Sequence, residues 1–206
     1  MKKRMSLIAL GACGVAFIAS TTSASSFSGQ EGVQPIHVLD TEREAYDRLP
    51  EEAANIMSLT EVSAESIRLV GETEETIVWV GENSQGESCV ISRLKDDADG
   101  HVDDAEIFGA TCVDAPVARE EGIALRVQGG KTTGVSMHLL PGEATVESAR
   151  QLHSEKDRHG GHVIVRGGRT LVVAPVESAY HLTGLNVDLK TGESLDLQLI
   201  GRSTGN

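Results

Sequence analysis

Residues 76–94 read TIVWVGENSQGESCVISRL, and this stretch decides the fold class. Ile77, Val78, Trp79 and Val80 form one short apolar run, and residues 88–94 carry a second around Cys89, Val90, Ile91 and Leu94. Between them Glu82-Asn-Ser-Gln-Gly86 supplies turn chemistry. A connection this short leaves no room for a crossover helix, so the two runs are expected to pair as an antiparallel hairpin. The pattern continues on both sides, at 67–70, 105–113, 123–128, 132–140, 145–151, 162–166, 170–173, 185–189 and 195–200. Gln128-Gly-Gly-Lys131, Pro141-Gly-Glu143, Arg166-Gly-Gly-Arg169 and Lys190-Thr-Gly-Glu193 separate several of these runs. The expected architecture is mainly β, an antiparallel sandwich or a curled meander with a short N-terminal helical segment.

That helical segment is expected over residues 41–58. Thr41 and Glu44 fit a capping box, with Ala45, Tyr46 and Leu49 following at helical spacing. Pro50-Glu-Glu opens a second short helix. Upstream, Lys2-Lys3-Arg4 precedes an apolar stretch and the small-residue tail Thr22-Ser23-Ala24. This order is that of a bacterial export signal, expected to be cleaved after Ala24. Two rivals are lipidation at Cys13, in Leu10-Gly-Ala-Cys13, and retention of the segment as a membrane anchor. Every one of these readings places the remainder outside the cytoplasm. Residues 25–36 read as a flexible tether, and residues 37–206 as a single mainly-β domain.

Charge narrows the partners. The chain has 31 acidic and 18 basic residues, a formal net charge of −13, and only 3% aromatic residues. Nucleic-acid binding needs a basic footprint and stacking rings, so it is excluded. Loss of residues 1–24 leaves 15 basic against 31 acidic residues, a net of −16. The acids concentrate in residues 31–106, which carry 20 acidic and five basic residues. Such a face keeps a protein soluble and can also attract a cationic partner in the envelope.

Val78-Trp-Val-Gly, Gly86-Glu-Ser-Cys-Val-Ile, Ala110-Thr-Cys112, Gly122-Ile-Ala-Leu and Leu139-Leu-Pro-Gly together make a further pattern. It resembles small secreted or membrane-anchored actinobacterial proteins without an assigned activity, over roughly residues 67–150. Their Val-Pro-Asp-Gly tract is replaced here by Pro141-Gly142-Glu143. The resemblance implies an exported β domain with a cysteine pair and carries over no catalytic residue. Cysteine arithmetic agrees with it. With Cys13 removed, Cys89 and Cys112 remain as an even pair in an oxidising compartment, each within a strand-like run. The alternative is a reactive Cys112 beside an inert, buried Cys89.

Chemistry-bearing motifs are sparse. In residues 95–106, aligning Gly100 with the glycine of a calcium loop puts Asp97, Asp99, Asp103 and Glu106 on ligand positions. Lys95 then occupies the first ligand position, so these four carboxylates are candidates for weak calcium binding only. His153, His159 and His162 accompany Glu155 and Asp157 in HSEKDRHGGH, which reads as an exposed polar loop ending in a glycine pair. Thr111-Cys112 with Arg119 resembles the Thr-Cys…Arg order of sortases, but His37 and His101 are poorly spaced to serve such a cysteine. No Gly-x-Ser-x-Gly elbow occurs, and no cofactor is expected. Two function classes follow. One is an exported, acidic, non-enzymatic interaction module of the cell envelope. The other is a secreted hydrolase or transferase whose site assembles only in the fold, with His138 or His181 gathered among carboxylates.

Overall fold

The hairpin of residues 76–94 forms around its turn. A computed structural model describes residue 39 and residues 42–95, 107–128 and 134–200. In it β2 (Thr76–Glu82) and β3 (Ser88–Leu94) pair antiparallel from Thr76↔Leu94 to Glu82↔Ser88. The Asn83 carboxamide oxygen closes the turn by accepting from the Gln85 and Glu87 amides at 3.0 and 2.9 Å. Flanked by β1 (Arg68–Glu72) and β4 (Phe108–Val113), the hairpin becomes a four-stranded meander in the order β1-β2-β3-β4.

A second four-stranded antiparallel sheet holds β5 (Ile123–Val127), β6 (Val135–Leu139), β7 (His162–Arg166) and β8 (Arg169–Pro175), ordered β5-β6-β8-β7. Val70, Val78, Val80 and Val90 of the first sheet pack on Leu125, Val135, Met137, Leu139 and Leu171 of the second. This is the core of a β-sandwich. At its margins the sheets approach so closely that a Cβ on Gly109 would lie 2.5 Å from Val127 Cγ2.

The alternate face of the first sheet is covered as well. Trp79, Cys89 and Ile91 point away from the sandwich core and meet Leu49, Ile56 and Met57. Those residues lie in the short N-terminal helical segment, two 3-10 turns at Ala45–Asp47 and Glu51–Ala53 and then α1 (Ala54–Thr60). Burial on both faces explains why β2 reads as a continuous apolar run and not as a strict alternation. Glu44 caps the first turn, and its amide donates to Asp47 Oδ2 at 2.7 Å. Thr41 lies outside the described residues. Asp47 is buried and its second oxygen accepts from the Leu69 amide at 2.7 Å, which fastens the segment to β1.

The second sheet is covered by a helix where the sequence predicts a strand. Residues 145–151 do not form a β-run, because α3 (Val146–His159) begins there and crosses from β6 to β7. Its inward stripe is thin, with Ser148 and Leu152 buried and Ala149 beside them, so the helical period is nearly hidden. Local signals specify it instead. The Thr145 hydroxyl accepts from the Ser148 amide at 3.2 Å, Glu147 lies in the first turn, and Lys156, Arg158 and His159 lie in the last. The short helix α2 (Ala115–Glu120) inserts Ala118 into the sandwich core. On the far side, α4 (Ala179–Leu182), β9 (Asn186–Asp188) and β10 (Ser194–Asp196) join α3 around Leu140, Val172, Leu189 and Leu197.

Thr145→Ala removes the α3 cap and is expected to destabilise the protein by about 1 kcal/mol in urea unfolding. An unchanged midpoint would mean that packing alone holds this helix end.

Candidate functional site

Cys89 and Cys112 are directly opposed on β3 and β4, and they form a disulfide with their Cα atoms 4.0 Å apart. Direct opposition puts both side chains on one face of the sheet, which is what a cross-strand bridge requires. The bridge lies in the outer cluster with Trp79 and Ile91, Cys89 fully buried and Cys112 partly so. A bridged sulfur offers no thiolate, so Cys112 acts here as a staple and not as a nucleophile beside Arg119.

His138 lies on β6, but it is held by backbone and not by carboxylates. The Gln198 amide donates to its Nδ1 at 2.9 Å, which makes Nδ1 an acceptor and places the ring proton on Nε2. Nε2 in turn donates to the Glu121 carbonyl at 2.8 Å. The ring is 1% exposed, and burial pushes its pKa down to about 4, only partly offset by the Glu121 bond. A neutral imidazole with both nitrogens engaged has no free lone pair for base catalysis. Gly122 lets the chain pass this point. Its φ is +79°, and a Cβ there would lie 2.3 Å from the Leu139 carbonyl oxygen.

The histidines of HSEKDRHGGH do not form an exposed loop. His153 and His159 belong to α3, and His162 opens β7. The three go to separate places. His153 is exposed, and His162 Nε2 lies 3.2 Å from Glu75 Oε2. His159 Nε2 lies 3.6 Å from Glu155 Oε2, and its ring stacks on His181 of α4 with centroids 4.2 Å apart. Tyr180 extends the stack, 3.8 Å from the His181 ring. Asp157 lies 3.7 Å from the Lys156 ammonium. Near-parallel stacked rings aim their nitrogen lone pairs alongside one another and not at a common point. Among the described residues, no group of three or more His, Cys, Asp or Glu side chains is arranged to hold a metal ion.

The calcium candidates Asp97, Asp99, Asp103 and Glu106 lie outside the described residues. Lys95, at the edge of that stretch, has its ammonium on Glu72 Oε1 at 2.5 Å and the Thr73 carbonyl at 2.7 Å. It is thereby tied to the β1–β2 turn.

No family model, curated protein or solved structure matches this chain. The reading of its sites therefore rests on its own geometry. Two groupings had no signal in sequence spacing. The His159–His181 stack joins residues of two different helices, and the Arg166 guanidinium lies 4.9 Å from the centre of the Tyr46 ring, across most of the chain.

Proposed function

We propose that this chain is an exported, acidic, non-enzymatic interaction module of the bacterial cell envelope. The Cys89–Cys112 disulfide carries the reading, because a buried structural bridge belongs to an oxidising, extracytoplasmic compartment. The basic, apolar and small-residue order of residues 1–24 supports the same destination. Among the described residues no helix is long and apolar enough to cross a membrane. The best nucleophile and the most buried histidine both serve the scaffold, Cys112 as half of a bridge and His138 as a clasp between backbone segments. The 20 acidic and five basic residues of positions 31–106 favour a cationic partner, drawn in by long-range attraction.

Crosslinking in intact cells, with this chain as bait, tests the reading. The expected product is an adduct in the envelope fraction whose yield falls as salt rises from 50 to several hundred millimolar, because screening shortens the reach of the acidic face. An adduct confined to the cytoplasm, or a yield indifferent to salt, would overturn the proposed compartment or the proposed mode of attraction respectively.

A further inference from the structure

The β7–β8 hairpin ends on two arginines that, among the described residues, have no carboxylate within ion-pair distance. Arg166 and Arg169 are register partners immediately beside the Gly167-Gly168 turn, whose residues have φ of +57° and +72°. Opposed residues project from one face of the sheet, and like charges so placed repel. The next pair on that face is Ile164↔Leu171, and both pack in the core between the two sheets. The arginines therefore project to the same side, at the end of that core. Arg169 is 6% exposed, and its hydrogen bond is a long one, 3.4 Å from Nη1 to the Leu140 carbonyl. Arg68, comparably buried, is better served, with Nη1 donating to the Glu65 and Ile67 carbonyls at 2.8 and 2.9 Å. Arg166 lies over the Tyr46 ring. Among the described residues neither Arg166 nor Arg169 forms an ion pair, although the chain has 31 carboxylate side chains.

A guanidinium withdrawn from most of its solvent without a counter-charge is costly, and a bound anion would offset that cost. We propose that the end of the β7–β8 hairpin binds a small oxyanion, a carboxylate or a phosphate, on the Arg169 guanidinium, with Arg166 as the second positive charge. The planar fork of Arg169 matches two oxygens of such a group at once. Burial lowers the Arg169 pKa to about 10, which still leaves it charged at neutral pH. Both arginines lie in sequence outside residues 31–106, and the inference does not depend on the proposed protein partner.

The test uses the full chain with its disulfide intact. Inorganic phosphate and acetate are titrated calorimetrically, and their effects on the melting temperature are compared with those of chloride at equal ionic strength. One oxyanion is expected to bind and to raise the melting temperature, and which of the two does so identifies the ligand chemistry. Arg169→Met is expected to weaken binding at least about tenfold and Arg166→Gln about threefold. Should Arg169→Met fail to fold, Arg169→Lys keeps the charge, loses the fork, and is expected to show the same direction of change. If neither phosphate nor acetate binds, or if each binds the parent and the Arg169 variants equally, the proposal is overturned.

Discussion

Replacing both Cys89 and Cys112 with alanine is expected to lower the unfolding free energy by about 3–4 kcal/mol. The bridge spans a sequence separation of 23 residues, and closing a loop of that length removes this much chain entropy from the unfolded state. The loss is a large share of the 5–15 kcal/mol typical of a domain. Alanine is the informative replacement because Cys89 is fully buried among Trp79, Val62, Ile67 and Ile91, where a serine hydroxyl would add a penalty of its own. Trp79 is the sole tryptophan and lies in the same cluster, so its emission reports the transition directly. Urea unfolding of the parent, the reduced parent and the double-alanine protein provides the comparison. A double-alanine protein within about 0.5 kcal/mol of the parent would show that strand pairing alone fixes β4.

Acid is expected to destabilise the protein through His138, by about 3 kcal/mol between neutral pH and pH 4. The folded pKa is near 4 and the ordinary value is 6.5. Between these values the unfolded chain binds the proton and the folded one does not, so stability falls as pH falls. Above pH 6.5 both states are neutral at this residue and its contribution is complete. Each unit of difference corresponds to about 1.4 kcal/mol, which sets the size of the loss. The geometry supplies the cause, because protonation of Nδ1 would turn this acceptor into a donor facing the Gln198 amide, itself a donor. Nuclear magnetic resonance of the imidazole carbons, followed downwards from pH 8, should show His138 unchanged through its ordinary value of 6.5 and titrating only near 4. His138 titrating near 6.5 in the native protein would sink the prediction.

Much of the β framework was legible because each strand announces itself locally. The runs 88–94 and 162–166 coincide with β3 and β7, and Gly167 and Gly168 adopt the positive φ that a two-residue hairpin needs. The cysteine pairing was legible for the same reason, since two strand-borne cysteines around one loop have few other fates. What escaped depends on the relation between distant parts. α3 hid behind an inward face of one serine, one alanine and one leucine, although Thr145 and Gly160 marked its ends. His138 looked isolated because its partners are backbone groups at Glu121 and Gln198, which no side-chain motif records. Arg166-Gly-Gly-Arg169 was readable as a turn. The burial of Arg169 was not, because it exists only once the second sheet faces the first.

Residues 197–200 bind far upstream. The Gln198 amide donates to His138, 60 positions earlier, and the Ile200 amide donates to the Ser136 hydroxyl, 64 positions earlier. Leu197 and Leu199 complete the apolar cluster over the second sheet. A chain that emerges from its N-terminus can therefore build the β1–β4 meander and its bridge early, while the face carrying Val172 and Ala174 must wait for Leu197 and Leu199. Until they arrive that face stays wet and sticky, which makes the interval before residues 197–200 emerge the period when this protein is most exposed to aggregation and proteolysis. Residues 197–200 thus act as a latch on the order of assembly, and a nascent chain stalled before them would hold a half-closed sandwich.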